Sequence, residues 1–247
     1  MSTDPRGGPA GPAVFGLRPG DRALVVAPHP DDETIGPGGT VARLAAEGVE
    51  VHVLCVTVRA ARMYGSVSDP STRLSEFEKA CAALDVTRAA IAWVDETGEL
   101  DITTRMRALV DLVERHEEAS LAATRPRLML MPSAGGFHQD HQAVHQAAFA
   151  AARVQASGLK PTPELVLGYR GVEDRWSAHN ESWWVHVDTT RFWGAKEEAL
   201  RAYGSQMRAE GPRSIEQIRL VDTVAGSSLD FGCAESFVPY RMAYRQS

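Results

Sequence analysis

Ala23-Leu24-Val25-Val26-Ala27-Pro28-His29-Pro30-Asp31-Asp32-Glu33 is a short apolar run that breaks into an imidazole and three carboxylates. Five apolar residues between Asp21-Arg22 and Pro28 suit a strand buried on both faces. The polar loop then falls at the strand's carboxyl end. Downstream, Gly36-Pro37-Gly38-Gly39 punctuates the chain, and Thr40 to Glu47 carries a helical apolar pattern stopped by Gly48. Val49 to Thr57 reads as a second strand, Arg73 to Leu84 as a helix and Ala89 to Val94 as a third strand. Ile102 to Leu121 reads as one long amphipathic helix and Arg127 to Met131 as a fourth strand. His141 to Ala152 reads as an Ala-rich helix. Strands at Glu164–Tyr169 and Trp183–Val187 and a helix over Phe192–Tyr203 follow. This alternation predicts an α/β, Rossmann-like fold, a mostly parallel sheet flanked by helices on both faces. Ligands in such folds bind beyond the carboxyl ends of the strands.

Residues 1–16, rich in Gly, Pro and Ala, are expected to be a disordered tail, with residues 17–247 forming a single domain. A 44% hydrophobic, 23% charged chain of 247 residues can build a sizeable core. The formal net charge of -6 argues against nucleic acid as partner. Three scattered cysteines suit neither a disulfide framework nor a CxxC zinc site. No apolar run approaches the ~20 residues of a membrane span, and no secretory signal is evident. The expectation is a reduced, cytoplasmic protein acting on a small molecule. Oligomeric state stays open, a homo-oligomer included.

Two loops carry candidate chemistry. Pro28 to Glu33 offers His and carboxylate, both ordinary zinc ligands, with a further carboxylate able to take a proton from water. The loop after the fourth strand, Ser133 to His141, ends in His138-Gln139-Asp140-His141. Two His around an Asp can supply a ligand, an acid and a carboxylate that orients a ring. Spacing alone does not choose between His138 and His141 as ligand. A dinucleotide-binding module is disfavoured, because Gly36-Pro37-Gly38-Gly39 lacks the G-x-G-x-x-G spacing and the acidic loop would repel pyrophosphate. A metal phosphoesterase holding paired cations, and a catalytically silent small-molecule-binding protein, remain as alternatives.

With Pro28-His29-Pro30-Asp31-Asp32-Glu33, the trailing Gly38-Gly39, Arg73-x-x-Glu76, His138-Gln139-Asp140-His141, Lys196 and Ser205-Gln206, the chain resembles the LmbE-like, or PIG-L-like, N-deacetylase family from about Leu17 to Gln206. The resemblance implies a zinc-dependent hydrolase that removes an N-acyl group, N-acetyl above all, from an amino sugar or a natural-product intermediate. It implies Zn2+ held by His29, Asp32 and His141 and Asp31 as general base. It further implies His138 as oxyanion stabiliser or acid, with Asp140 orienting His138. The chain departs from the family where Thr57 leads into Val58-Arg59-Ala60-Ala61-Arg62 rather than to the usual Gly. Asp85 and Gly136 stand where many members have Gly and some have Tyr. These departures bear on substrate rather than metal.

Other residues invite weaker readings. His52, His116 and His145 are expected on a strand face, a solvated helix face and the His141 side of a helix. His179 and His186 flank Trp183-Trp184, and His186 falls in an alternating strand, with an approach to the pocket as the minority reading. Tyr64 to Thr72 reads as a lid, Arg59 and Arg62 as potential anion contacts. Trp176, Trp183, Trp184 and Trp193 read as core.

Overall fold

The computed structural model describes residues 14–63, 66–155, 158–172 and 184–244. The strands are β1 (Arg22–Ala27), β2 (Glu50–Arg59), β3 (Ala61–Met63), β4 (Ser66–Ser68), β5 (Arg88–Asp95), β6 (Leu128–Pro132), β7 (Leu165–Tyr169), β8 (Val185–Asp188) and β9 (Ala234–Met242). The helices are α1 (Asp32–Ile35), α2 (Gly38–Ala46), α3 (Pro70–Ala83), α4 (Met106–Arg115), α5 (Leu121–Thr124), α6 (Gln139–Ala151), α7 (Trp193–Ala202) and α8 (Ile215–Ser227).

Seven strands form one sheet in the order β5-β2-β1-β6-β7-β9-β8. The first five are parallel, and β9 runs antiparallel to both β7 and β8. The expected α/β sheet is thus found, with an antiparallel margin. β3 and β4 pair as a separate antiparallel ribbon. Alternation along β1 fills both sides of the sheet. Ala23 and Val25 join Val41 and Leu44 from α2, Phe77 from α3 and Tyr203, which follows the last residue of α7. Leu24 and Val26 join Leu109, Val113, Val144 and Ala147 from α4 and α6. All of β1 after Arg22 is buried, so truncating Leu24 to Ala would cost ~2–5 kcal/mol.

From β1 the chain builds outward to β2 and β5, then crosses to β6 on the other side. The switch point lies between β1 and β6. The loops that leave these two strands diverge there and open a crevice. They are the two loops singled out from sequence.

Three expectations change. Ile102 to Leu121 is not one helix but a 3-10 turn at Ile102–Thr104, then α4, then a bend before α5. Local polar side chains compete for the backbone there. Asp101 caps Thr103, His116 Nδ1 accepts from the backbone N–H groups of Glu118 and Ala119, and Ser120 caps Ala123. Secondly, residues 1–13 lie outside the described residues, whereas Val14–Gly16 is an ordered 3-10 turn. Val14 donates its N–H to Glu47, and Phe15 meets Phe237 edge-on at 6.5 Å between ring centroids. Thirdly, α8 and β9 occupy the last forty residues, where sequence reading assigned no element.

Candidate metal and acid–base site

β1 ends at Ala27, and Pro28-His29-Pro30 leads directly into α1. Asp31 sits at the helix N-cap with φ 111°, a conformation that L side chains rarely adopt. Such strain persists only where surroundings hold it, and it gathers at functional sites. The surroundings here are specific. The backbone N–H of Asp31 donates to Glu33 at 3.1 Å, and its carbonyl accepts from the N–H groups of Thr34 and Ile35. Glu33 is fully buried and accepts from the Tyr203 hydroxyl and the Thr34 hydroxyl, each at 2.6 Å. Burial pushes the Glu33 carboxyl up to about 7, against the pull of those two hydrogen bonds.

His138 caps α6, and Asp140 and His141 fall in that helix's first turn. Pairing of β6 with β1 brings this turn over the first loop. The His29, Asp32 and His141 ligand atoms all lie within 4.8 Å of one another, the one such group of three among the described residues. Asp32 Oδ2 is 3.2 Å from His141 Nε2 and 3.5 Å from His29 Nδ1, and it also accepts from the His29 backbone N–H at 3.0 Å. Asp32 is held well below the usual carboxylate range; burial opposes this, and His141 and His29 overcome it. Two imidazoles and a carboxylate on short rigid elements are a donor set that suits zinc. Among the described residues there is no second such group to hold the other cation of a phosphoesterase pair.

The Asp140 carboxylate goes elsewhere than expected. It accepts from His29 Nε2 at 2.9 Å and lies 3.3 Å from Arg59. His138 is met instead by the Asp140 backbone N–H, which donates to Nδ1 at 3.2 Å. Asp140 therefore orients a proposed ligand ring, the usual task of a carboxylate behind a metal-bound imidazole. Burial disfavours a charged His29, but hydrogen bonds to Asp140 and Asp32 raise it to about 9. His138, whose ring centroid lies 5.2 Å from that of His29 and 5.1 Å from that of His141, is lowered to about 4 by burial and by those two imidazoles. Its neutral form, with Nδ1 accepting, carries its proton on Nε2.

Asp31 is buried, and two arginines pin its Oδ2, Arg213 at 3.0 Å and Arg73 at 3.6 Å. Arg73, on α3, also donates to the Pro30 carbonyl. One turn on, Glu76 accepts from the Ser205 backbone N–H and hydroxyl, each at 2.6 Å. Burial raises the Asp31 carboxyl above its ordinary range, opposed by Arg73 and Arg213.

Sequence reading missed Arg213, Asp222 and Glu235. Arg213 has no motif around it. Glu235, on β9, accepts from the Gly39 and Thr40 N–H groups at 2.7 Å each, and Lys196 donates to Glu235 at 2.6 Å and to Asp222 at 2.8 Å. Lys196 was noted without a partner, and its buried charge was the signal that acids had to lie nearby. His145 is held by the Pro132 carbonyl at 2.8 Å and packs on Phe149 and Tyr240, away from the cluster of three. His186 bonds Ser236 at 2.9 Å across β8 and β9. His179, Trp176, Trp183, Tyr64 and the Arg62 side chain lie outside the described residues.

A family model described as PIG-L: GlcNAc-PI de-N-acetylase matches residues 24–152. The chain is 33% identical over 162 residues to a 1D-myo-inositol 2-acetamido-2-deoxy-alpha-D-glucopyranoside deacetylase of Saccharopolyspora erythraea, covering 53% of each protein. It is 26% identical over 237 residues to a deacetylase of the same name from Salinispora arenicola, covering 76% of this chain and 77% of that one. The chain spans about half the length of the first of these relatives. A conserved protein from Thermus thermophilus shares the fold with a TM-score of 0.68 at 28% identity, covering 91% of this chain and 96% of that one. A 4-carboxy-2-hydroxymuconate hydratase from Pseudomonas putida shares it too, with a TM-score of 0.64 at 19% identity and coverage of 92% and 99%. The fold alone therefore does not choose the reaction.

Proposed function

We propose, because this chain belongs to the PIG-L de-N-acetylase family, that it is a zinc-dependent hydrolase. Its substrate would be an N-acetylated small molecule, an amino sugar or a biosynthetic intermediate built on one. The observation that carries the reading is the cluster of His29, Asp32 and His141 ligand atoms within 4.8 Å, set beside a strained and buried Asp31. Zinc held by those three residues would supply the Lewis acidity that activates water and polarises an acyl oxygen.

The remaining work falls to the chain. Asp31, with its pKa raised by burial, takes the proton from the attacking water at Oδ. Arg73 and Arg213 fix that carboxylate, so its basicity is bounded and its position held. His138, whose Nδ1 accepts from the Asp140 backbone N–H, donates from Nε2 a hydrogen bond to the oxygen on which negative charge develops. Of the two roles that the resemblance implies for His138, this is the oxyanion stabiliser. One preorganised donor of this kind is worth on the order of 3 kcal/mol. Asp140 keeps the His29 ring turned with Nδ1 toward Asp32.

Elemental analysis and acetate release from N-acetylated amino sugars test the reading together. We expect about one zinc per chain, lost in Asp32→Ala. Asp31→Asn should keep the zinc and lose ~10²–10⁴ in kcat. Protein that takes up no zinc under metal-replete conditions, or Asp31→Asn at full activity, would refute it.

A further inference from the structure

A cavity of about 210 Å³ adjoins the metal cluster, bounded by Thr57 and Arg59 at the end of β2, Ser68 on β4, Arg73 and Arg213. Two of its arginines are committed. Arg73 serves Pro30 and Asp31, and Arg213 serves Asp31. Arg59 is different. Its side chain is 29% exposed, and its one ion pair among the described residues is Asp140 at 3.3 Å. The oxygen it faces, Asp140 Oδ2, already accepts from His29. A guanidinium carries five N–H donors in a planar fork that matches a carboxylate or phosphate face to face. Two residues earlier on the same strand, Thr57 lines the same cavity, is 1% exposed, and has a hydroxyl oxygen without a hydrogen-bond partner. Residues i and i+2 of a strand share a face, so the Thr57 hydroxyl and the Arg59 stem leave β2 on one side. A buried hydroxyl left unpaired is unfavourable, and a ligand oxygen would relieve it.

We propose that Thr57 and Arg59 form a subsite for an anionic group, a carboxylate or a phosphate ester, on the molecule whose N-acyl group is removed. This rests on the deacetylase reading and narrows it, because Arg59 shares one Asp140 oxygen with His29, which leaves most of its fork of donors for an anionic group that a neutral amino sugar does not carry. Arg59 supplies charge and a fork of donors, and Thr57 supplies one neutral donor from the cavity wall. The reacting amide and the anionic group would then sit on opposite sides of Asp140.

The test is calorimetric binding to the zinc-loaded protein at fixed ionic strength. The probes are N-acetylglucosamine 6-phosphate, N-acetylmuramic acid and neutral N-acetylglucosamine. At least one anionic probe should bind about tenfold or more tightly than the neutral one. Arg59→Gln should abolish that preference, and Thr57→Val should reduce it several-fold while keeping the side-chain shape. Which anionic probe wins separates phosphate from carboxylate. Equal affinities, no binding of either anion, or a preference that survives Arg59→Gln would overturn the subsite. Acetate release, followed separately, reports on the hydrolase reading. Arg59-dependent binding without release would sink that reading and leave the subsite. Release without any anionic preference would do the reverse.

Discussion

His29 carries the sharpest consequence at the level of single residues. Its two ring nitrogens face two carboxylates, Asp32 across Nδ1 and Asp140 at Nε2. Burial alone would favour a neutral ring, yet the carboxylates win and the pKa rises to about 9. In metal-free protein at pH 7 the ring is therefore a cation, whereas the zinc ligand we propose it to be would have to be neutral. Under the proposed ligation, zinc would have to expel that proton. Calorimetric titration of zinc into apo protein, repeated in buffers of different ionisation enthalpy, should report about one proton released near pH 7. Apparent zinc affinity should climb with pH up to about 9 and level off above it. The sign for folding follows from the same shift. A folded pKa raised above 6.5 contributes stability to the apo protein that is complete below pH 6.5 and disappears as pH rises through about 9. A buffer-independent zinc enthalpy at pH 7 would mean that His29 is already neutral.

Between elements, the decisive contact is one the sequence hid. Glu235 reaches from β9 to the second and third residues of α2 and satisfies the Gly39 and Thr40 N–H groups, which a helix start leaves unpaired. Burial disfavours the Lys196 ammonium, but Asp222 and Glu235 outweigh it and raise its pKa above the ordinary range. The strand β9 is thereby tied to α2, which follows the segment that carries His29, Asp31 and Asp32. Glu235→Ala would leave Lys196 short of one counter-charge and uncap α2, at a cost of about 3–5 kcal/mol. Urea denaturation should show this as a lower midpoint with an unchanged slope, and Glu235→Gln should lose less. A midpoint unmoved in Glu235→Ala would show that the tie carries no stability. The same contact explains what sequence could and could not reveal. β1, β2 and β6 are near-continuous apolar runs and were read to within two residues. In α8 the buried positions are Ile218, Asp222 and Gly226, a stripe with a charge at its centre that looks like a solvated face. In β9 a buried Glu235 and a Pro239 beside the bulge against β7 break the alternation that announces a strand. Both elements were hidden because their interior charge is satisfied only by residues distant in sequence.

For the molecule as a whole, the question is whether the metal makes the fold or only completes it. The motif residues His29, Asp32, His138, Asp140 and His141 were legible because they lie in the loops after β1 and β6 or at the start of the helix that follows, while their separate roles came from the family resemblance. The sheet order that joins β1 to β6, and the arrival of Arg213 at Asp31, were not, since neither leaves a local trace. Those long-range contacts hold the loop without an ion. Arg73 binds the Pro30 carbonyl, Arg213 binds Asp31, Tyr203 binds Glu33, and His29 binds Asp140. Of these groups only Tyr203 belongs to the apolar cores that cover both faces of the sheet. A small zinc domain lacking such a core unfolds on chelation, and this chain should not. Zinc present at 100 to 1,000 times its dissociation constant adds ~2.7–4.1 kcal/mol by mass action. For a chain of this size each kcal/mol moves Tm by roughly 2–4 °C. Removing zinc with a chelator should therefore lower Tm by about 5–15 °C and leave the far-ultraviolet circular dichroism at 25 °C unchanged. Loss of helical signal at 25 °C would mean that the loop contacts do not stand without the ion. A Tm that does not move would mean that zinc does not bind the folded state at His29, Asp32 and His141.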